Sequence, residues 1–422
     1  MNRLSQHAVV IGGGVIGAMT AYHLTQVGWR ATIIERSGFG QGSSWGNCGI
    51  ILPSHVLTLN TVDNLALGLR WMLKKDAPFA IRPRFDPTLF SWLGRFAAGC
   101  TKKSRSRSAA AVAGLTSTAV AAFEALLREE GICCDWQQRG AIHLFRSPEA
   151  FARHAAVDAE TRRFGPGCIA LDRKAIRSKE PAVGPAVVGA WMDENAAHLR
   201  PDALMAELRR VLNRRGVSIL ENTAWRSFRI ENGRAVAANT SRGEIRADGF
   251  AVAAGAWTPL HGAALGRRIP IQPGKGYSVT LSDATGVPDH PCFFEEYRSV
   301  ATPWKGGLRL GGMMEFAGYD DRIDPVRIAA LFSAAKKHLR LRRIGRVEER
   351  WCGWRPMTVD GVPIIDRLPG AKNVVLAAGH NMLGISMAPA TGRLAAEMLT
   401  GQPPHVDPAP YRLSRFNFLK NQ

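Results

Sequence analysis

Gly12, Gly14 and Gly17, followed 18 residues later by Glu35, are the residues whose types and spacing speak most clearly of chemistry. The glycines stand as G-x-G-x-x-G. Gly12 permits a sharp turn, Gly14 lets main chain approach a pyrophosphate, and Gly17 lets a helix pack close on a strand. The phosphates would lie on the helix N-terminus that Val15 and Ile16 begin, where free N–H groups and the helix dipole favour negative charge. Glu35 would accept from ribose hydroxyls. Only one such fingerprint occurs, and no second one serves a nicotinamide. If the dinucleotide is FAD, electrons must come straight from the substrate.

The elements that must hold these residues are readable around them. His7 to Ile11 is a short apolar run, Val15 to Val27 has helical spacing closed by Gly28, and Ala31 to Ile34 is a second apolar run ending at Glu35. Strand, turn, helix and strand in that order begin a parallel sheet. From Pro78 to Asn195 the texture changes to many Arg, Trp and Phe residues. Pro201-Asp202 opens a helix through Leu212, a strand follows at Val217 to Leu220, and another apolar strand runs from Ala251 to Ala254. Alternating runs such as Tyr277 to Leu281 and Leu308 to Leu310 point to an antiparallel sheet. A buried strand at Asn373 to Ala377, then Gly379 and a helix, close the chain. The expected fold is α/β: a Rossmann-like dinucleotide domain (1–75, 196–265 and 346–422) interrupted by an α+β substrate domain (76–195 and 266–345). With 422 residues, 46% hydrophobic and 21% charged, the chain can bury its own core and is not disordered.

Further motifs follow in order. Gly40-x-Gly42-Ser43-Ser44-Trp45-Gly46-Asn47-Cys48-Gly49 comes first, then Ala253-Ala254-Gly255-Ala256-Trp257 and Lys275-Gly276-Tyr277. Gly311-Gly312-Met313-Met314-Glu315, Gly353-Trp354-Arg355-Pro356 and Gly379-His380-x-x-x-Gly384 come after. Together, along nearly the whole chain, they resemble the glycine oxidase and D-amino-acid oxidase superfamily, and within it bacterial D-amino-acid and D-hydroxyproline dehydrogenases. The resemblance implies FAD, bound by Gly12, Gly14, Val15, Ile16, Gly17, Glu35, Arg36, Ser43, Ser44, Asn47, Cys48, Gly49, Trp225, Ala254, Gly255, Gly379, His380, Met382, Leu383 and Gly384. It implies that Arg355 takes the substrate carboxylate as a bidentate fork, and that Tyr277, Tyr297 and His55 line the substrate pocket. The helix after Gly384 would turn its positive end to the flavin. Cys48 stands where the family often has Ala, Trp225 where a small β-branched residue meets adenine, and Val56-Leu-Thr-Leu-Asn60 replaces a Pro-rich segment. Some relatives attach flavin through a cysteine near the Arg motif; Cys352 is out of that spacing and reads as packing.

The implied reaction is FAD-dependent dehydrogenation of a D-amino acid. Hydride passes from Cα to flavin N5, and water hydrolyses the imine to a 2-oxo acid and ammonia; a D-proline or D-hydroxyproline type substrate gives a ring imine. No base is required if the amine is already neutral. Electrons go to a quinone or partner subunit in dehydrogenases of this group, some of which are heteromers, and to oxygen in the alternative, a glycine, sarcosine or opine oxidase. The net charge, 55 Lys+Arg against 35 Asp+Glu or +20, speaks of partners: nucleic acid, an anionic membrane, or anionic substrates. A basic nucleic-acid-binding protein is the alternative from another class, but no helix-turn-helix, zinc or RNP-like motif supports it. Residues 66–79 combine apolar bulk, Trp71 and the basic Arg70, Lys74 and Lys75, a composition suited to an anionic lipid surface or equally to a helix with a solvated basic face. Seven cysteines without a CxxC pair or zinc spacing suit a reducing compartment and no metal. Ala109 to Phe123 reads as too short and weakly apolar to span a bilayer. The expected location is cytoplasmic, with peripheral contact on the inner face of the membrane.

Overall fold

A computed structural model describes residues 6–72 and 77–419 of the chain. Two sheets carry the molecule. The first has six strands in the order Ile364–Leu368, Ala371–Ala378, Gly249–Val252, His7–Ile11, Arg30–Ile34, Ser218–Leu220. All neighbours in it are parallel except the edge pair Ile364–Leu368 and Ala371–Ala378. Its central strands read as unbroken apolar runs because both faces are covered: Ala8, Val9, Val10, Phe250, Ala251 and Val252 are fully buried. The helices Val15–Gln26 and Gly384–Thr400 pack together on one face. Gly392 makes that approach possible, since a Cβ there would stand 2.6 Å from the Met19 carbonyl carbon.

The second sheet has nine strands and is largely antiparallel. Its long strand Ile271–Ser282, buried along its whole length, pairs with Arg346–Thr358 on one side and Gly307–Phe316 on the other. Ser299–Trp304, Cys292–Phe294, Ala141–Phe145 and Gly189–Asp193 continue it. The α/β class, with a dinucleotide-type sheet and a separate antiparallel sheet, is therefore as expected. The strand Arg346–Thr358 lies in the antiparallel sheet, where its alternating pattern finds partners, although the sequence boundary at 346 had grouped it with the dinucleotide part.

Residues 102–130 form a helical run that, by length and composition, is long and apolar enough to cross a membrane. The structure breaks it into Lys102–Thr116 and Ala119–Glu130 and uses both halves in the core. Val112 and Leu115 pack with Met387, and Phe123 and Leu126 pack with residues of the helix Val15–Gln26.

Replacing Gly392 by Val should drive the two crossing helices apart and lower stability by about 1–3 kcal/mol, an overpacking cost. Chemical denaturation would show this as a lower midpoint with an unchanged slope.

Candidate functional site

One cavity of about 810 Å³ is walled by residues of both sheets. At the dinucleotide end the three fingerprint glycines have separate reasons. Gly12 adopts φ +110, and a Cβ on it would lie 2.4 Å from the Ala253 carbonyl oxygen. A Cβ on Gly17 would lie 1.9 Å from the Gly12 oxygen, so Gly17 serves helix packing and is not in the cavity wall. Gly14 is in the wall and begins the helix without a side-chain cap, while the Val15 N–H donates to Ser44 Oγ at 3.0 Å. Glu35 is fixed at the wall by N–H donors from Gly13 (2.8 Å) and Ser37 (3.0 Å). Beyond it, Arg36 stacks on the Trp257 ring at 4.1 Å, and Trp225 lies against His261 and Phe228 to give an aromatic floor.

The loop 40–49 passes beneath the antiparallel sheet and is held from it. Ser43 Oγ donates to the Trp354 carbonyl at 2.5 Å, and Trp45 Nε1 donates to Glu349 at 2.8 Å. Arg309, only 1% exposed, donates to the carbonyls of Trp45 (2.7 Å) and Asn47 (2.9 Å). Gly49 takes φ +71 and would place a Cβ 2.0 Å from the Leu199 oxygen. Asn47, Cys48, Ser43 and Ser44 line the cavity, and so do Ala254, Gly255, His380, Met382, Leu383 and Gly384. Gly49 and Gly379 act behind the wall as turn residues. The helix Gly384–Thr400 meets the cavity with an N-terminus that no side chain caps. His380 beside it is buried and bonded to Thr391 at 3.1 Å; burial pushes its pKa down to about 3, so the ring is neutral. Bare glycine backbone, two uncapped helix ends, a fixed carboxylate and an aromatic floor fit FAD. Among the described residues, no group of three or more His, Cys, Asp or Glu side chains could hold a metal ion.

Arg355 enters the same cavity. Its strand pairs Arg355 with Gly274, and its guanidinium lies across Gly276, where a Cβ would stand 2.1 Å from Nη1. Opposite Gly276 the strand Gly307–Phe316 bulges: Gly312 faces Tyr277 and Glu315 faces Lys275, leaving Met313 and Met314 against one residue. Met313 takes φ +63, and its carbonyl accepts from Arg355 Nη1 at 2.8 Å. Among the described residues no carboxylate lies within ion-pair distance of this guanidinium. Burial lowers the Arg355 pKa, and the nearby Cys48 thiol is itself pushed up by burial.

The pocket residues divide. Tyr277 lines the cavity, but its hydroxyl donates to Glu315 at 2.5 Å; burial and then that carboxylate push its pKa up. His55 lines the cavity, and burial lowers its pKa to about 4. Tyr297 is a correction. It lies outside the wall, edge-on to His338 at 5.5 Å, with its hydroxyl accepting from Lys337 at 2.9 Å. The short turn Glu295–Tyr297, closed by Arg298 at φ +44, carries it to the outer side. Cys352 also lies outside the wall, with Sγ donating to the Asp321 carbonyl at 3.1 Å. Of the basic segment 66–79, residues 73–76, including Lys74 and Lys75, lie outside the described residues. Leu65, Gly68 and Leu69 from the helix Val62–Trp71 close one side of the cavity.

Several wall residues have no local sequence signal. His143 stacks on Phe293 at 4.6 Å and bonds through Nδ1 to Glu295 at 2.7 Å. Burial works against the Glu295 charge, yet His143 and Arg298 hold its pKa well below the usual carboxylate range. Arg298 and Asn64 complete this polar end. Register across the sheet, which pairs His143 with Phe293, could have found His143; Arg309 gave only an alternating strand pattern.

Comparison with known proteins agrees with this geometry. Residues 7–398 match the DAO family, FAD dependent oxidoreductase. The chain is 32% identical over 418 residues to a D-amino acid dehydrogenase of Granulibacter bethesdensis, covering 97% of this chain and 99% of that protein. It is 30% identical to a D-amino acid dehydrogenase of Methylobacterium nodulans, covering 98% of this chain and 99% of that one. Its fold is similar to glycine oxidase from Geobacillus kaustophilus, with a TM-score of 0.76 at 21% identity over 97% of this chain and 99% of that one.

Replacing Gly276 by Ala should displace the Arg355 guanidinium while leaving the dinucleotide end intact. The expected outcome is unchanged FAD retention by absorbance, with KM for the amino acid raised roughly 10-fold or more, the worth of one charge-assisted hydrogen bond.

Proposed function

This chain belongs to the family of FAD-dependent oxidoreductases, and from that premise we propose that it dehydrogenates a D-amino acid at Cα. The carrying observation is Arg355: a guanidinium turned into the cavity, donating to the main-chain carbonyls of Met313 and Gly312 and, among the described residues, with no carboxylate to neutralise it. A desolvated cation is costly until an anion meets it, and a planar fork suits a carboxylate. Bound in the cavity, FAD supplies the two-electron acceptor for a hydride from the substrate's Cα.

The chain's own residues do the rest. Arg355 fixes the carboxylate, and Gly276 with the Met313 carbonyl fixes Arg355. Tyr277 and His55 offer ring surface, and the helix Val62–Trp71 shields the reacting atoms from water. Loss of hydride from Cα and a proton from nitrogen leaves an imine, which water converts to a 2-oxo acid and ammonia. A D-proline or D-hydroxyproline type substrate belongs to the same proposal and gives a ring imine. The electron acceptor we propose is a membrane quinone or partner protein, with the enzyme peripheral on the inner face of the membrane. Val62, Leu69, Met72, Phe85 and Phe90, exposed apolar side chains on or next to the helices Val62–Trp71 and Pro87–Ala98, support a lipid-facing surface, and the net charge of +20 supports its attraction to anionic lipid.

Anaerobic mixing with D-alanine, D-proline, D-hydroxyproline and their L-forms tests the reading. Bleaching of the flavin by a D-form is expected, with little oxygen consumed in air; bleaching by L-forms alone would contradict it. Arg355→Lys should raise KM roughly 10–100-fold for the same amino acid, through loss of the fork geometry.

A further inference from the structure

Beside the main cavity lies a small chamber of about 30 Å³, walled by His55, Thr58, Asn60 and Asn381 and by the apolar Phe96 and Val112. Asn60 is 1% exposed, yet among the described residues neither its Oδ1 nor its Nδ2 has a hydrogen-bond partner, and Thr58 Oγ1 has none either. Orphaned groups of this kind are rare, because each one buried without a partner costs on the order of 1–3 kcal/mol. The Asn381 amide is already committed, to the Thr358 main chain and hydroxyl and to the Gly379 carbonyl. The unclaimed donors and acceptors therefore belong to Asn60 and Thr58. A space above about 10–15 Å³ with several polar partners is what a buried water requires. This chamber exceeds that volume and offers three unclaimed polar atoms.

His55 is in the wall of both spaces. Its ring has no hydrogen-bond partner in the protein among the described residues. We propose that Asn60 and Thr58 hold an ordered water against the His55 imidazole, and that this pair carries the proton of the substrate ammonium out of the main cavity. The proposal rests on the amino-acid dehydrogenase reading above and concerns how the amine becomes neutral before hydride leaves. The N–H bond of the ammonium breaks and its proton goes to the unprotonated imidazole nitrogen. The proton on the other imidazole nitrogen passes to the water and on to solvent past the half-buried Leu57 and Thr58. The imidazole ends neutral in its other tautomer, and rotation of the ring restores it. No electrons move in this step.

The surroundings of His55 suit a carrier and not a proton store. It faces His143 from the strand Ala141–Phe145, Glu295 and Arg298 from the turn after Cys292–Phe294, and Asp193 from the end of Gly189–Asp193. Burial, with His143 and Arg298, outweighs the two carboxylates and pushes its pKa down to about 4. Asp193 is also engaged by the Ser54 hydroxyl. An imidazole so placed is neutral through the working range and gives up any proton it receives. Asn60 and Thr58 are positioning residues, since they act only through the water.

The test is the pH dependence of flavin reduction in anaerobic stopped flow, using the D-amino acid of the panel that reduces the holoenzyme fastest. Wild type should reduce well below the ammonium pKa of the free amino acid. In Asn60→Leu and Thr58→Val the acidic limb should move up by about one unit toward that pKa, a tenfold slower reduction on the limb. The high-pH plateau and FAD retention should stay unchanged, and Thr58→Ser should keep the wild-type profile. A role in structure alone would lower the plateau without moving the limb. A crystal structure of the holoenzyme should show the water bonded to Asn60 and Thr58. An unmoved limb in both variants, or a chamber that holds no water, overturns the relay and leaves the dehydrogenase reading standing. A wild type that no D-amino acid reduces overturns that reading and the relay with it.

Discussion

A guanidinium kept inside a cavity with no counter-ion among the described residues is the constraint on which the rest of this structure turns. Arg355 is tolerated there because three features of the antiparallel sheet fix it. Its strand is in register with Gly274, Gly276 leaves the space its head group fills, and a bulge turns the Met313 carbonyl onto Nη1. The bulge places Met313 at a positive φ, a conformation that costs energy in any residue but glycine and is found where function over-determines it. The site is thus set to receive an anion, which on the proposed reading is the carboxylate of the substrate.

The antiparallel sheet also holds the other half of the site. Arg309 reaches from its strand to the carbonyls of Trp45 and Asn47, and Ser43 is tied to the strand that carries Arg355. The loop that follows the dinucleotide fingerprint is therefore positioned by the sheet that carries Arg355. Cofactor and substrate geometry are coupled through a few buried hydrogen bonds, each strengthened by exclusion of water. Small residues do the complementary work: Gly311 faces the Cys48 sulfur at a separation that a Cβ would reduce to 2.3 Å.

What was legible in the sequence was local, or carried by motif. The fingerprint at Gly12, Gly14 and Gly17, its strand and helix, and Glu35 need only near neighbours in the chain, and the strand, turn and helix lie where the spacing puts them, with Glu35 directly after the second strand. Arg355 was legible through resemblance, and the register explains why its position works. Tyr297 was not: a residue on a turn keeps its identity when a left-handed neighbour reverses its direction, and Arg298 does this. His143, Glu295 and Arg309 gave no signal because their partners lie far away in sequence; His143 meets a carboxylate 152 residues on. Asn60 and Thr58 looked like a departure from a Pro-rich segment, and only packing shows that their polar atoms face a chamber. Part of the positive charge, the least ordinary feature of the composition, goes into surface pairs such as Arg210 with Glu207 and Arg393 with Glu397. Arg36, Arg298, Arg309 and Arg355 are positions where it shapes the site.

The most direct measurement compares a D-amino acid with its own α-amide as reductants of the bound flavin, in wild type and in Arg355→Met. A carboxylate held by Arg355 predicts that wild type prefers the acid by roughly 10–100-fold in kcat/KM, the worth of hydrogen bonds to a charged group, and that the variant loses most of this preference. Equal rates for acid and amide in wild type, or a preference that survives in Arg355→Met, would contradict it.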